Sequence, residues 1–444
     1  MKNNRLLPSR PVPQTPWLLP EEHAWVVDSL YKLGLIKISE KRDLPLKSGG
    51  LTDVYINLRE ARNNPVALEF ISDLFCIPLN RLQPDRFIEV PDSVSCFAGP
   101  LAIKTGIPYL TIRESEKAQR ATNARIIGKS DEFENIVIID DVITNGESKI
   151  IPYQECLKLR LNNQALIVLV DRQQGWPEHL AKAGVKMNVW PGLTLHDVRR
   201  ELILSGMMTR CDPKMEEINP MIVALDGKSW EQILPVIDKL RTSGCILKVN
   251  DLLFGQGIDR LVPELSVYGR VMADLKGHDI SNTVKNTCLR LKACPPWAVT
   301  VHASGGAEMV QAAKEALAGT PTLVLVITVL TSIDKETGEE IYCRQPLEQV
   351  MKLAEIGVRG GADGFVCSSA EVAMLKEKYP DKKRVVPGIR SEDIEVNDQK
   401  RVSTPQGAMD NGATNIVMGR QILNAKDPVA EVYRVMRDEL HIIE

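Results

Sequence analysis

Val271-Met272-Ala273-Asp274-Leu275-Lys276-Gly277-His278-Asp279 carries an apolar run straight into a lysine between two carboxylates. The first five residues read as a β-strand, and the charges sit at its end. Ionisable groups there are costly unless they share a polar pocket. A lysine fixed between acids can donate a proton to a carbon that becomes negative. Taken alone, such a charge cluster is most often solvated surface, so its meaning depends on the sequence around it.

Working outward, short apolar runs recur: MIVAL (221–225), CILKV (245–249), VMADL (271–275), AVTVH (298–302), TLVLVITVL (322–330), GFVCS (364–368), RVVPG (384–388) and NIVMG (415–419). Most spacers are helical in pattern, as in SWEQILPVIDKLRTSG and PLEQVMKLAEIGVRGG. Strands alternating with helices in this number predict an α/β fold, a (β/α)8 TIM barrel, with its chemistry at the C-terminal strand ends. The polar residues follow that rule. Asp226 ends the first run, Lys248 lies in the second, and Asp274 and Lys276 flank the end of the third. His302 closes the fourth, Thr331 and Ser332 follow the fifth, and Ser368 the sixth. Gly388-Ile389-Arg390 and Gly419-Arg420 end the last two, where barrels commonly hold a phosphate. Glycine lets backbone N–H groups approach it and arginine clamps it.

The first half is also α/β: RFIEV, PYLTIR, NIVIID, QALIVLVD and VKMNVW alternate with helical stretches. Its central motif runs from Ile138 through Asp140, Asp141, Thr144 and Gly146 to Ser148. A strand ending in paired acids, then a turn into a helix, suits a phosphorylated sugar. The helix N-terminus meets the phosphate, while the acids lie near ribose hydroxyls or a magnesium-bound diphosphate. A helix N-cap is the plainer alternative for such a pair. The expected organisation is a Pro-rich, extended or disordered lead-in (1–21), an α/β domain (22–212) and a barrel (213–444).

At 444 residues, two domains are the natural expectation. A net charge of −3 with 5% aromatics gives no nucleic-acid footprint and no polybasic membrane patch. No apolar run reaches the roughly 18 residues of a membrane span, and the N-terminal stretch lacks the apolar core of a secretory signal. Nine scattered cysteines without a C-x-x-C pair suit reduced thiols in the cytoplasm and not a zinc site.

The second half resembles orotidine 5′-phosphate decarboxylase, in ALD (224–226), LKV (247–249), DLKGHDISNTV (274–284), VHASGG (301–306), VLTS (329–332), VPGIR (386–390), DQKRV (398–402) and MGRQI (418–422). The resemblance implies cofactor-free decarboxylation of orotidine 5′-monophosphate (OMP) by an array of Lys248, Asp274, Lys276 and Asp279, with Lys276 protonating C6. It further implies a homodimer in which Asp279 and Thr283 reach the partner's site. Asp226 resembles the ribose-binding acid and Thr331, beside Ser332, the pyrimidine contact. Arg390, Gln399, Gly419 and Arg420 resemble the phosphate grip, and 331–343 a closing loop. Gly277, Ser281 and Asn250 depart from the family's usual aromatic, proline and glycine.

The first half resembles orotate phosphoribosyltransferase. KSGGLTDVYINLRE (47–60) matches its substrate segment with Lys47 and Tyr55, and IRESEK (112–117) the start of its mobile loop with Arg113 and Lys117. IIDDVITNGES (138–148) matches the phosphoribosyl diphosphate motif and VDRQQG (170–175) the orotate-binding segment with Arg172. The resemblance implies orotate and phosphoribosyl diphosphate as substrates, with Mg²⁺ brought by the diphosphate to Asp140 and Asp141. The order of the halves is that of the bifunctional uridine 5′-monophosphate (UMP) synthases. Glu114, Gln119, Trp176 and the segment 90–95 depart from the transferase pattern, so a decarboxylase carrying a non-catalytic first half is the alternative. A sister barrel acting on a sugar phosphate with a metal is the third reading, disfavoured by Lys248 and DQKRV.

Overall fold

The computed structural model describes residues 16–39, 43–46, 51–90, 93–112, 125–392 and 403–444. The chain divides into two compact units, Met1–Thr209 and Arg210–Glu444.

Unit 1 is built on a six-stranded sheet of β5 (Arg86–Glu89), β6 (Tyr109–Ile112), β7 (Ile126–Ile127), β8 (Asn135–Ile143), β9 (Asn162–Asp171) and β10 (Val189–Thr194), in the order β10-β9-β8-β5-β6-β7. All neighbours are parallel except β6 and β7. Two short antiparallel pairs precede it: β1 (Ile36–Ile38) with β4 (Val54–Ile56), and β2 (Leu44–Pro45) with β3 (Leu51–Thr52). The run VKMNVW is strand only from Val189, and the strand continues through Pro191 and Gly192. Proline is tolerated there because β10 is an edge strand.

The expected lead-in of 1–21 needs correction over its described part. Trp17 and Leu18 are buried, and Pro20 opens the helix Pro20–Lys32 at a position where its missing N–H costs nothing. The Trp17 backbone N–H donates to Pro191 O at 3.0 Å, and its indole Nε1–H to Val168 O at 3.1 Å. Gly192 makes this seat: a Cβ there would stand 2.6 Å from the indole ring. The Pro-rich composition reads as extended, but a large aromatic with a polar edge needs a tertiary partner. Residues 1–15 lie outside the described residues.

Unit 2 is a closed parallel barrel of β11 (Met221–Ala224), β12 (Ile246–Val249), β13 (Arg270–Gly277), β14 (Ala298–His302), β15 (Leu323–Ile327), β16 (Gly364–Val366), β17 (Lys383–Val386) and β18 (Asn415–Met418), with β18 closing on β11. Each apolar run read as a strand supplies one of them, and helices follow each strand. The connections show why these segments fold locally. Ser229 forms a capping box with Gln232 before Trp230–Leu240, and Thr404 accepts from the Gly407 N–H before Pro405–Asp410. The segment 331–343, expected as a loop, contains the helix Lys335–Tyr342, capped by Asp334 accepting from the Thr337 N–H. Among the described residues, no helix is long and apolar enough to cross a membrane.

Candidate active site

The strand face that fills the barrel also delivers its charges. Ile246, Met272 and Ala298 belong to the buried apolar cluster of the barrel. Side chains alternate along a strand, so two positions further on, the same face presents Lys248, Asp274 and Thr300, all buried. The Lys248 ammonium donates to Asp226 and, at 3.1 Å, to Asp274 Oδ2. Lys276 Nζ donates to that same Asp274 oxygen at 2.5 Å.

Alternation alone does not put Lys276 there; a bulge helps. Ala273 pairs with Val299 and Gly277 with Val301, so Asp274, Leu275 and Lys276 stand opposite Thr300 alone. Bulges re-aim side chains next to active sites. Lys276 takes φ +49°, the left-handed conformation that side chains rarely adopt. Thr300 holds the bulge: it accepts from the Lys276 N–H at 2.9 Å and donates to Asp274 Oδ1 at 2.7 Å. Asn250 donates from its side chain to the Asp274 carbonyl at 2.6 Å and from its backbone to Asp226 Oδ1 at 3.1 Å. Sequence reasoning noted Asn250 only as a departure and missed Thr300. Its signal was a hydroxyl at an inward position among valines.

Burial works against the ionised Asp274, but Lys248 and Lys276 outweigh it and hold the carboxyl below its ordinary value. Burial likewise pulls Lys248 down, yet Asp274 and Asp226 hold it above the usual lysine value. His302 is pushed down by burial, then by His278 and Lys276. The result is a preorganised cation–anion–cation row.

The row opens on a cavity of about 350 Å³, whose lining includes Asp226, Lys248, Asp274 and Lys276 together with Thr331, Arg390, Gly419 and Arg420. Gln421, not anticipated, also lines it and accepts from the Ser391 N–H at 3.0 Å. Ser332 is exposed and does not line it, because the chain turns outward toward the 335–342 helix. Asp279 and Thr283, expected to serve the partner's site, do not line this cavity; within the chain they line a neighbouring one of about 260 Å³. Asp279 follows the bulge and accepts from the Ile280 N–H instead. Gln399 lies outside the described residues.

In unit 1, Tyr55, Asp141, Thr144 and Arg172 line a cavity of about 430 Å³. Arg172 is buried and donates to Thr52 Oγ1 at 3.1 Å. Gly146, at φ +81°, precedes the helix Glu147–Lys158 and is not among the lining residues. Trp176, where a second glycine is usual, donates its Nε1–H to Asp171 at 3.0 Å. Arg59 and Lys149, which sequence reasoning did not single out, also line the cavity. Lys47, Arg113 and Lys117 lie outside the described residues.

Asp140 does not serve as expected. It is fully buried, and the Lys149 ammonium, itself buried, donates to its carboxylate. Burial and nearby Arg59 push Lys149 down to about 7. A magnesium site built on both acids does not fit this arrangement, because Asp140 is engaged by Lys149 and only Asp141 of the pair lines the cavity. Among the described residues, no group of three or more His, Cys, Asp or Glu side chains could hold a metal.

A closed β/α barrel with a lysine–aspartate–lysine row at its C-terminal mouth defines an enzyme of the TIM-barrel class. Residues 219–435 match the family model "Orotidine 5'-phosphate decarboxylase / HUMPS family". The chain is 40% identical over 225 residues to orotidine 5′-phosphate decarboxylase of Chromobacterium violaceum, covering 50% of this chain and 91% of that protein. Through its second unit the chain therefore belongs to the orotidine 5′-phosphate decarboxylase family. Among solved structures, the enzyme of that name from Lactobacillus acidophilus is 35% identical with a TM-score of 0.43, covering 50% of this chain and 98% of that one. UMP synthase of Leishmania donovani is 22% identical with a TM-score of 0.37, covering 42% of this chain and 39% of that one.

Proposed function

We propose that unit 2 converts OMP to UMP without a cofactor. The carrying observation is the shared Asp274 oxygen, contacted by both Lys248 and Lys276. With OMP seated, its carboxylate lies beside Asp274, and like-charge proximity disfavours the ground state more than the transition state. As the C6–carboxylate bond breaks, its electron pair stays on C6, and CO2 leaves. The Lys276 ammonium stabilises that charge and donates its proton to C6. Arg390, Gly419 and Arg420 line the cavity where the 5′-phosphate would be held. A homodimer completes the site in this reading, with Asp279 and Thr283 contributed to the partner. Phe254, 81% exposed, lines the same cavity, and Ile280, 72% exposed, lies between Asp279 and Thr283 in sequence; both suit such a contact.

A second reading concerns unit 1, and the gathering of Tyr55, Asp141, Thr144 and Arg172 around one cavity favours it. There phosphoribosyl diphosphate and orotate would combine to OMP, the substrate of unit 2. No step is routed through magnesium, given the commitment of Asp140 to Lys149. The test supplies purified chain with OMP alone and, separately, with orotate and phosphoribosyl diphosphate, with and without Mg²⁺. UMP from both reactions supports both activities. UMP from OMP alone leaves unit 1 without transferase chemistry, and no UMP from either overturns the proposal.

A further inference from the structure

The ladder between β17 and β18 ends at Val386 and Ile416. The Ile389 N–H still reaches Val417 O at 3.3 Å, but the cavity residues Arg390 and Arg420 lie further along both chains. There a side chain continues the pairing. Gln421 Oε1 accepts from the Ser391 N–H at 3.0 Å, while its Nε2 donates to Ser391 Oγ and to Glu431 Oε1, each at 2.7 Å. A primary amide has two N–H donors and one oxygen; here each is committed to protein.

The partners are themselves tied to the C-terminal helices. Ser391 Oγ also accepts from Arg434 Nη2 at 2.9 Å and donates to Glu439 Oε1 at 2.5 Å. Arg434 bridges Glu431, at 2.8 Å, and Glu439, at 2.9 Å. Glu439 stands five residues after Arg434, a spacing that an α-helix turns away from the shared face. The segment Val435–Glu439 is instead a π turn, with the Leu440 N–H bonded to Val435 O at 2.9 Å, and its i→i+5 spacing brings Glu439 back over Arg434. Arg434, and after it Gln421, hold the Glu431 carboxyl below its usual value against partial burial.

We propose that Gln421 is a positioning residue of the decarboxylase site: through Ser391 it latches the ends of β17 and β18 together, and the Glu431–Arg434–Glu439 cluster holds that latch in place. The latch sets the spacing of Arg390 and Arg420, and with it the grip on the 5′-phosphate. This role rests on OMP decarboxylation by unit 2. Gln421 acts through its neighbours, because reaching a phosphate would cost it the bonds to Ser391 and Glu431.

The test compares UMP with uridine, ligands that differ by the phosphate, in isothermal titrations of the full chain. Gln421→Met keeps the side-chain length and removes all three bonds. It is expected to weaken UMP about tenfold while uridine changes less than about twofold, and KM for OMP should rise more than kcat falls. Ser391→Ala enters the same latch from the β17 side and should weaken UMP in the same direction. The double variant should lose less than the product of the two single losses, since both act on one network. Circular dichroism melts check folding, and if Gln421→Met does not fold, Ser391→Ala carries the same comparison alone. UMP affinity equal to the parent's, or equal loss of UMP and uridine, overturns the latch, while parent turnover of OMP leaves the decarboxylase reading standing. A parent chain that does not convert OMP to UMP overturns that reading and the latch with it.

Discussion

Thr300 and Lys276 are joined across a strand boundary: the Lys276 backbone N–H donates to the Thr300 hydroxyl at 2.9 Å, while that hydroxyl donates to Asp274 at 2.7 Å. One buried side chain thus fixes both the backbone of the proposed proton donor and the carboxylate beside it. Thr300→Val keeps the shape and removes both bonds. It is expected to lower kcat for OMP decarboxylation by about ten- to a hundredfold, the equivalent of about 1–3 kcal/mol, with a smaller change in KM. Steady-state kinetics check this; an unchanged kcat means the bulge holds itself.

His302 supplies a pH prediction. Burial, His278 and Lys276 lower its pKa below the ordinary value of 6.5. Between the folded and unfolded values the unfolded chain binds more protons, so this residue's contribution to stability is full above 6.5 and is lost as pH falls through that window. His302→Gln removes the titration. The parent is therefore expected to lose stability relative to the variant below about pH 6.5, and parallel melting curves from pH 5 to 8 would show it. A difference independent of pH contradicts the assignment.

The barrel was legible because each strand announces itself: a short apolar run, a polar residue at its end, then a helix. The face carrying Lys248 and Asp274 follows from counting in twos from Ile246 and Met272. Thr300 was not legible as a site residue, since its role depends on a register shift opposite it. Nor was the Lys149–Asp140 pair, which needs the turn at Gly146 to fold the helix back over the strand end. Paired acids in a motif do not say which of them another side chain has taken. Trp17 was misread for a related reason, because its partners Val168 and Pro191 are distant in sequence.

Trp17 now carries its own expectation. Trp17→Ala empties a buried seat against Phe75, whose ring centroid is 5.9 Å away. It should destabilise unit 1 by about 3–5 kcal/mol. Trp17→Phe, which keeps most packing but loses the indole bond to Val168, should cost roughly 1–2 kcal/mol. Urea unfolding followed by circular dichroism measures both, and equal losses contradict this division between packing and hydrogen bonding.

Shared sites predict complementation. Lys276→Ala and Asp279→Ala should each be inactive on OMP. If Asp279 serves the partner's site, mixing equal amounts under exchange conditions gives heterodimers with one intact site. With random pairing about a quarter of all sites recover. Activity in the mixture no higher than in the separate variants places Asp279 in its own subunit's site or outside the chemistry.

The central claim is that the Lys276 ammonium, beside Asp274 and without a metal, protonates the carbon left by CO2. The most direct measurement is the rate of UMP formation from OMP in EDTA by the parent chain and by Lys276→Ala, with UMP binding measured as a control for the site. The account predicts metal-free turnover by the parent, a loss exceeding about a hundredfold in the variant, and UMP binding largely retained. Turnover that disappears in EDTA, or a variant within a hundredfold of the parent, contradicts it.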